Sequence, residues 1–247
     1  MRRIITLISL CMPLSALALE TIENDSFSLP PEGSSGHLEA AYGGSSGNTN
    51  YNDFTAGGRL DYRADRTEMF ITGDGEKLKA DGSQVAYNSW LHAGFIDEYQ
   101  RGLAAEAYLD HLQDDQRLLA NRTQLGGGVR LTLDHVQNLR NIDFGLGVVH
   151  EWQAQAGVDN DYWRGNTYLS YLRQLTPQAS LLLSVQYQPR TNDFGNYLIE
   201  DDAELGVKLS PQLSLQVGLH HEYDSWVPLS IIKHNDTRYE TALRLQF

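Results

Sequence analysis

Thr237-Arg238-Tyr239-Glu240-Thr241-Ala242-Leu243-Arg244-Leu245-Gln246-Phe247 closes the chain, and its reading decides the fold. Side chains alternate across a strand with a period of two. Tyr239, Thr241, Leu243, Leu245 and Phe247 therefore share one face, and Arg238, Glu240, Ala242, Arg244 and Gln246 share the other. One face is apolar and the other is charged. Two settings accommodate such a strand: a soluble sandwich, with the apolar face on a core, or a membrane barrel, with the apolar face on lipid.

Upstream the same alternation recurs in segments of roughly ten residues bounded by turn formers, the pattern of barrel strands. In residues 51–63, Phe54, Ala56, Gly58, Leu60 and Tyr62 lie opposite Asp53, Thr55, Arg59 and Asp61. In residues 178–188, Leu181, Leu183, Val185 and Tyr187 lie opposite Ser180, Ser184 and Gln186. Similar segments fall near 37–44, 67–73, 85–95, 102–112, 123–133, 142–152, 162–173, 203–209 and 213–223. With the last strand these predict about twelve, an even number as in single-chain bacterial barrels.

The connections sort by length. Ala64-Asp65-Arg66, Thr176-Pro177 and Ser210-Pro211-Gln212 are short, whereas residues 73–84, 113–122, 153–161, 189–202 and 224–236 read as long polar links. Residues 96–101 and 134–140 read as intermediate turns at the short end. Short turns at one end and long loops at the other belong to an up-and-down outer-membrane barrel with periplasmic termini, and a Greek-key sandwich has no cause to sort them so. The charged face then looks inward. A one-residue slip of the last strand would turn Arg238 and Arg244 into hydrocarbon, at about 2–4 kcal/mol each near the midplane. Closure also removes sheet edges, whose unpaired N–H and C=O groups lipid cannot satisfy. Tyr42, Tyr62, Tyr87, Trp90, Trp152, Tyr162, Trp163, Tyr187, Tyr197, Tyr223 and Trp226 are placed by sequence near strand ends, as interfacial girdles require.

Composition is compatible with this. The 247 residues carry a formal net charge of −13, which argues against nucleic acid as a partner, since phosphate neutralisation needs clustered Lys and Arg. Residues 1–18 have Arg2 and Arg3, an apolar run and Ala16-Leu17-Ala18, the parts of a secretory signal peptide. The mature chain, 19–247, then begins with a short irregular leader, and the single cysteine, Cys11, leaves with the signal. Beyond it no apolar run reaches the ~18 residues of a membrane helix.

A chain ending on an aromatic after such an alternation resembles the terminal strand of outer-membrane barrels, the element read by the barrel assembly machinery. The whole mature chain resembles the family of salt-induced outer-membrane proteins, a domain of unknown function. The residues that carry this are Ser46-Gly47-Asn48-Thr49, Tyr108 with Asp110, Gly145 and Gly147 leading to Glu151, Tyr223-Asp224-Ser225, Pro228, Lys233, Asp236-Thr237-Arg238 and Phe247. A single Pro228, where the family has a pair, and His234-Asn235 before Asp236 are departures. The resemblance implies an outer-membrane location and no settled chemistry.

Inward-facing charges expected from parity are Glu39, Arg59, Asp61, Glu68, Glu106, Asp110, Arg130, Asp143, Arg164, Glu204, Lys208, Glu222, Arg238, Glu240 and Arg244. Both signs occur, which suits either a paired, stabilising network or a solute pathway; acids at least match bases, which weighs against anionic solutes. About twelve strands lies between a filled interior and an open channel. Tyr239, Leu243, Leu245 and Phe247 are expected to face lipid. The expected partners are outer-membrane lipid, lipopolysaccharide and the assembly machinery, with divalent cations at the acidic stretches Asp159-Asn160-Asp161 and Glu200-Asp201-Asp202, read as loops. Neither stretch continues into a calcium-loop pattern, and no cofactor or metal site is expected.

Enzymatic candidates are thin. His220-His221 with Ser225 is the nearest to a lipid-modifying barrel. Gly43-Gly44-Ser45-Ser46-Gly47 spells Gly-x-Ser-x-Gly without the strand-to-helix turn the motif needs, and Ser230-Ile231-Ile232-Lys233 lacks a supporting Lys-Thr-Gly. The reading is an all-β, antiparallel, up-and-down transmembrane barrel serving envelope maintenance or narrow passive permeation. A structural or adhesive surface barrel and a lipid-modifying enzyme are the alternatives.

Overall fold

A computed structural model describes residues 32–45, 51–80, 83–133 and 142–247. The signal peptide and most of the leader, the 134–140 turn, and Ser46 with Gly47 of the Gly-x-Ser-x-Gly stretch lie outside the described residues. Twelve antiparallel strands form one closed barrel, each hydrogen-bonded to its sequence neighbours and the last to the first. They are β1 (Gly33–Ser45), β2 (Tyr51–Ala64), β3 (Thr67–Ala80), β4 (Ser83–Gln100), β5 (Leu103–Asp114) and β6 (Leu119–Leu133). The second half comprises β7 (Ile142–Gln155), β8 (Val158–Thr176), β9 (Ala179–Arg190), β10 (Asp193–Lys208), β11 (Leu213–Asp224) and β12 (Asn235–Gln246). The first-to-last seam closes where Gly36 and Phe247 exchange backbone N–H···O bonds of 3.1 and 3.0 Å.

The polarity is inverted relative to a soluble domain. Leu38, Leu60, Leu146, Leu243 and Phe247 are each at least half exposed on the outer surface, while Glu151, Asp202, Arg164 and His220 are buried. Charges enclosed and leucines exposed are stable only where the outer medium is itself apolar, so the chain is a transmembrane barrel of the bacterial outer membrane.

The end carrying the termini has short turns. Asp65 takes a left-handed φ of 50° between β2 and β3, and Gly102, at φ 73°, turns β4 into β5. β4 runs to Gln100 with a register shift near Glu98, so residues 96–101 are mostly strand and their turn is tight. The opposite, far end departs from expectation. Residues 73–84, 153–161 and 189–202 are mainly strand: β7 turns into β8 through Ala156 and Gly157, both at positive φ, and β9 into β10 through Thr191 and Asn192. Consecutive left-handed residues match the right-handed strand twist of a tight hairpin. Polar strand above the hydrocarbon has no apolar face to display, and this is why its composition reads as loop. The connection from β11 to β12 is long, and that from β5 to β6 holds a 3₁₀ turn, Asp115–Arg117, capped by the Asp114 carboxylate.

Two girdle assignments are corrected. Trp90 and Tyr162 are buried inside the barrel, because they share parity with His92 on β4 and with Arg164 on β8. Tyr62, Trp152 and Trp163 are exposed on the outer surface, and Tyr187, Tyr197 and Tyr223 form a ring ladder there with centroids 5.6 and 5.8 Å apart.

Candidate functional site

The enclosed lumen is where polar chemistry concentrates. Its narrowing begins with glycines. A Cβ at Gly126 would overlap the Tyr108 ring, one at Gly145 the Tyr168 ring, and one at Gly94 the Phe70 ring. With no side chain beneath them, the tyrosine rings lie along the wall and carry their hydroxyls across the interior. Asn166 on β8 donates to Tyr108 Oη on β5 at 2.8 Å, and Tyr168 Oη on β8 donates to Glu106 at 2.6 Å.

Above these, β6 faces β7, β8 and β9. Gln124 donates to Glu151 at 2.6 Å and to Gln188 at 3.1 Å, and Arg164 donates from Nε and Nη2 to Glu151 at 3.1 and 3.3 Å. Towards the far end a strut spans the lumen. Arg117, in the 3₁₀ turn between β5 and β6, makes a two-pronged ion pair with Glu222 on β11, half the barrel away, with Nη1 at 2.6 Å. Arg122 adds Nη1 to Glu222 at 3.2 Å and Nη2 to Asp224 at 3.7 Å. Burial works against the charge on Arg117, but the Glu222 carboxylate and its hydrogen bonds outweigh this and raise its pKa, so the guanidinium of the strut stays charged.

The remaining arc, β10–β11–β12–β1–β2–β3, is bound mainly along the wall. Arg59 Nε donates to Asp61 at 2.8 Å and its Nη2 lies 3.6 Å from Glu68. Arg244 bridges Glu39 at 3.2 Å and Glu204 at 3.8 Å. His220 Nδ1 lies 2.6 Å from Asp202, which also accepts from Ser184 at 2.9 Å.

Of the other charges read from parity, Asp143 accepts from Thr132 at 2.5 Å, Asp110 contacts the His92 ring, and Glu240 is buried. Arg130 and Lys208 are half-buried, and the side chain of Arg238 lies outside the described residues. Tyr239, Leu243, Leu245 and Phe247 are exposed on the outer face. Arg117, Arg122 and Glu151 are not among the inward charges expected from parity, although Glu151 belongs to the motif that carries the resemblance. Arg122 shares parity with Arg130, and Glu151 with Asp143, so alternation could have found both. Arg117 carries no such signal, because it lies in a turn.

The acidic stretches are not loops. Glu200-Asp201-Asp202 lies within β10, with Glu200 and Asp202 turned inward, and Asp159-Asn160-Asp161 begins β8. Among the described residues no group of three or more acidic or histidine side chains could hold a metal ion. His221 lies outside, near Asp201 at 3.2 Å and Asn235 at 3.3 Å, while Ser225 Oγ accepts from the Tyr197 N–H at 2.6 Å. Ser230 and Lys233 are exposed in the β11–β12 connection.

The profile of the family described as "Protein of unknown function, DUF481" matches residues 38–247. The chain belongs to this family. Within it, two of the motif residues quoted above have structural work: Tyr108 lies over Gly126, and Gly145 receives Tyr168. No curated protein matches. Among solved structures, the COG4313 outer membrane channel from Pseudomonas putida F1 aligns with a TM-score of 0.56 at 10% identity, covering 92% of this chain and all of that one. The KdgM porin aligns at 0.43 and 11%, covering 87% and 99%. The translocator domain of autotransporter NalP from Neisseria meningitidis aligns at 0.48 and 11%, covering 89% and 90%. At such identities the first likeness concerns fold alone.

Proposed function

We propose that this DUF481 barrel is a narrow passive pathway for small cations, running along the acidic arc and restricted by the cross-lumen strut. The observation that carries this is the balance of enclosed charge: among the described residues thirteen acids but five arginines are buried. Nine of those acids stand on the arc from β10 to β3, whereas Arg117, Arg122 and Arg164 project from the opposite side. A lumen of one dominant sign concentrates counter-ions and excludes co-ions, as rings of Asp and Glu do in cation channels. The test is the reversal potential of the reconstituted barrel in a planar bilayer under a KCl gradient. A potential near that of potassium supports the reading; an anion-selective or electrically silent barrel overturns it.

The tyrosine and arginine contacts that cross the lumen favour a second reading, a sealed barrel with a structural role in the envelope. Electrical silence would select it. The salt-induced resemblance adds a physiological expectation, higher abundance in high-salt medium, which quantitative immunoblotting of outer membranes checks.

A further inference from the structure

Two arginines stand opposite one another on the lumen side of β8 and β9, Arg164 in register with Arg190, and their donors are used differently. Arg164 is fully engaged. Its Nε and Nη2 donate to Glu151, its Nη1 to the Gln188 carbonyl at 3.0 Å, and Nη2 also to Tyr162 Oη at 3.3 Å. Arg190, the half-buried last residue of β9 at the far rim, is not. Among the described residues no hydrogen bond or ion pair reaches its guanidinium, and its Nε is enclosed without an acceptor. Its contact is with a ring: Cζ lies 3.6 Å from the Tyr162 centroid. A guanidinium over an aromatic face is held by its flat side, and its N–H groups, which lie in its plane, stay available to a ligand.

The platform is fixed. Tyr162 Oη donates to Gln153 at 2.7 Å, and Thr191, next to Arg190, donates its N–H to the Trp163 carbonyl at 2.9 Å. Above Tyr162 on the same face of β8, Asn160 Nδ2 is a second enclosed donor with no partner. Asp193, in register with Arg190 across the hairpin, turns its carboxylate to the Gly195 N–H at 3.1 Å instead. Of the guanidiniums around Tyr162, Arg122 and Arg164 have carboxylates against them and Arg190 has none. Enclosed donors have lost their hydration, so both Arg190 and Asn160 gain when an acceptor arrives, and the unmatched charge requires that acceptor to be an anion.

We propose that the inner wall of the far rim at β8 and β9 is a carboxylate-binding site, where Arg190 grips both oxygens of a small organic acid beside Tyr162 and Asn160 donates to one of them. A planar two-oxygen anion matches the parallel donors of the fork, which a single-atom anion cannot bridge. The site lies outside the acidic arc and does not rest on the cation pathway. The probe is fluoroacetate, followed by broadening of its fluorine NMR line as it is titrated into the full barrel in phosphatidylcholine vesicles, with protein-free vesicles subtracted. Saturable broadening is expected, reversed by acetate and unaffected by equal chloride or acetamide. Arg190→Gln should weaken binding at least about tenfold, the equivalent of one charge-assisted hydrogen bond. Arg190→Lys, which keeps the charge and loses the fork, should weaken it by about as much, and Asn160→Ala about threefold.

Unchanged binding in Arg190→Gln overturns the proposal. So does full binding in Arg190→Lys, since net charge alone would then suffice. Displacement of the probe by chloride as readily as by acetate equally refutes it, and phosphate displacing it at lower concentration than acetate would assign the site to phosphates instead. Should the Arg190 variants fail to fold, judged by heat-modifiable migration in gels, Asn160→Ala and the chloride and acetamide competitions decide. The reversal potential under a KCl gradient reads the cation pathway separately, and binding of the carboxylate is read whether or not the barrel conducts.

Discussion

Replacing Glu222 by Gln is the sharpest test of the strut. Its carboxylate accepts two donations from Arg117 and one from Arg122 while only 2% exposed. Charge-assisted hydrogen bonds contribute about 1.5–3 kcal/mol each, so three set an upper bound of about 4.5–9 kcal/mol. The amide keeps one acceptor oxygen and turns an NH₂ towards a guanidinium, and Asp224, 3.7 Å from Arg122, takes up part of the stranded charge. The expected loss is then that of a buried pair with one partner removed, about 3–5 kcal/mol. For a urea slope of about 2–3 kcal/mol per M, the unfolding midpoint falls by about 1–2.5 M. The assay is equilibrium unfolding in lipid vesicles followed by tryptophan fluorescence. Arg117→Met combined with Glu222→Leu should recover most of the loss, since a well-packed apolar pair replaces a buried ion pair at little cost. A shift below about 0.5 kcal/mol in Glu222→Gln, the range of an indifferent surface change, would refute the strut. The same variant should raise single-channel conductance, because the bridge that narrows the passage is loosened.

Arg164→Met strands the fully buried Glu151, whose partners include Arg164 Nε at 3.1 Å, and should cost about 3–5 kcal/mol in the same unfolding assay. Gly145→Ala places a methyl in the Tyr168 ring; a loss of about 1–3 kcal/mol is expected, against a change within about 0.5 kcal/mol for Gly165→Ala, whose nearest neighbour is Pro189 at 3.8 Å. Leu243→Arg puts a charge on the exposed outer face of β12 and should cost about 2–4 kcal/mol if that position lies near the midplane, and less towards the interface. Urea midpoints in vesicles of increasing acyl length would locate it.

What could be read from residues alone follows from what lipid enforces. Across the hydrocarbon every second side chain must be apolar, so Leu243, Leu245 and Phe247 announce their strand and its orientation without any tertiary knowledge. Above the hydrocarbon the constraint lapses. Asp193 and Asn196 in β10, or Asp159 and Asn160 in β8, are strand residues that look like loop. The partners within the lumen were hidden for another reason. Arg117 and Glu222 are 105 positions apart, and only curvature and closure make them neighbours. The glycine sockets were hidden too: alternation places Gly126 and Gly145 within strands but carries no sign that each makes room for an aromatic ring from an adjacent strand.

The extension of the strands past the hydrocarbon has a consequence for how the mouth senses charge. β8 has 19 residues, about 63 Å of chain at ~3.3 Å per residue, and tilted by ~40° it rises about 48 Å. Beside an apolar band of ~25 Å this leaves on the order of 20 Å of wall, shared between the two ends of the barrel. The Debye length is about 8 Å at physiological salt, so each mouth stands about one screening length clear of the hydrocarbon. An approaching ion therefore responds to the acids of the rim and to the lipid headgroups together, and exchanging anionic for neutral lipid should slow cation entry, an effect that fades as salt is raised.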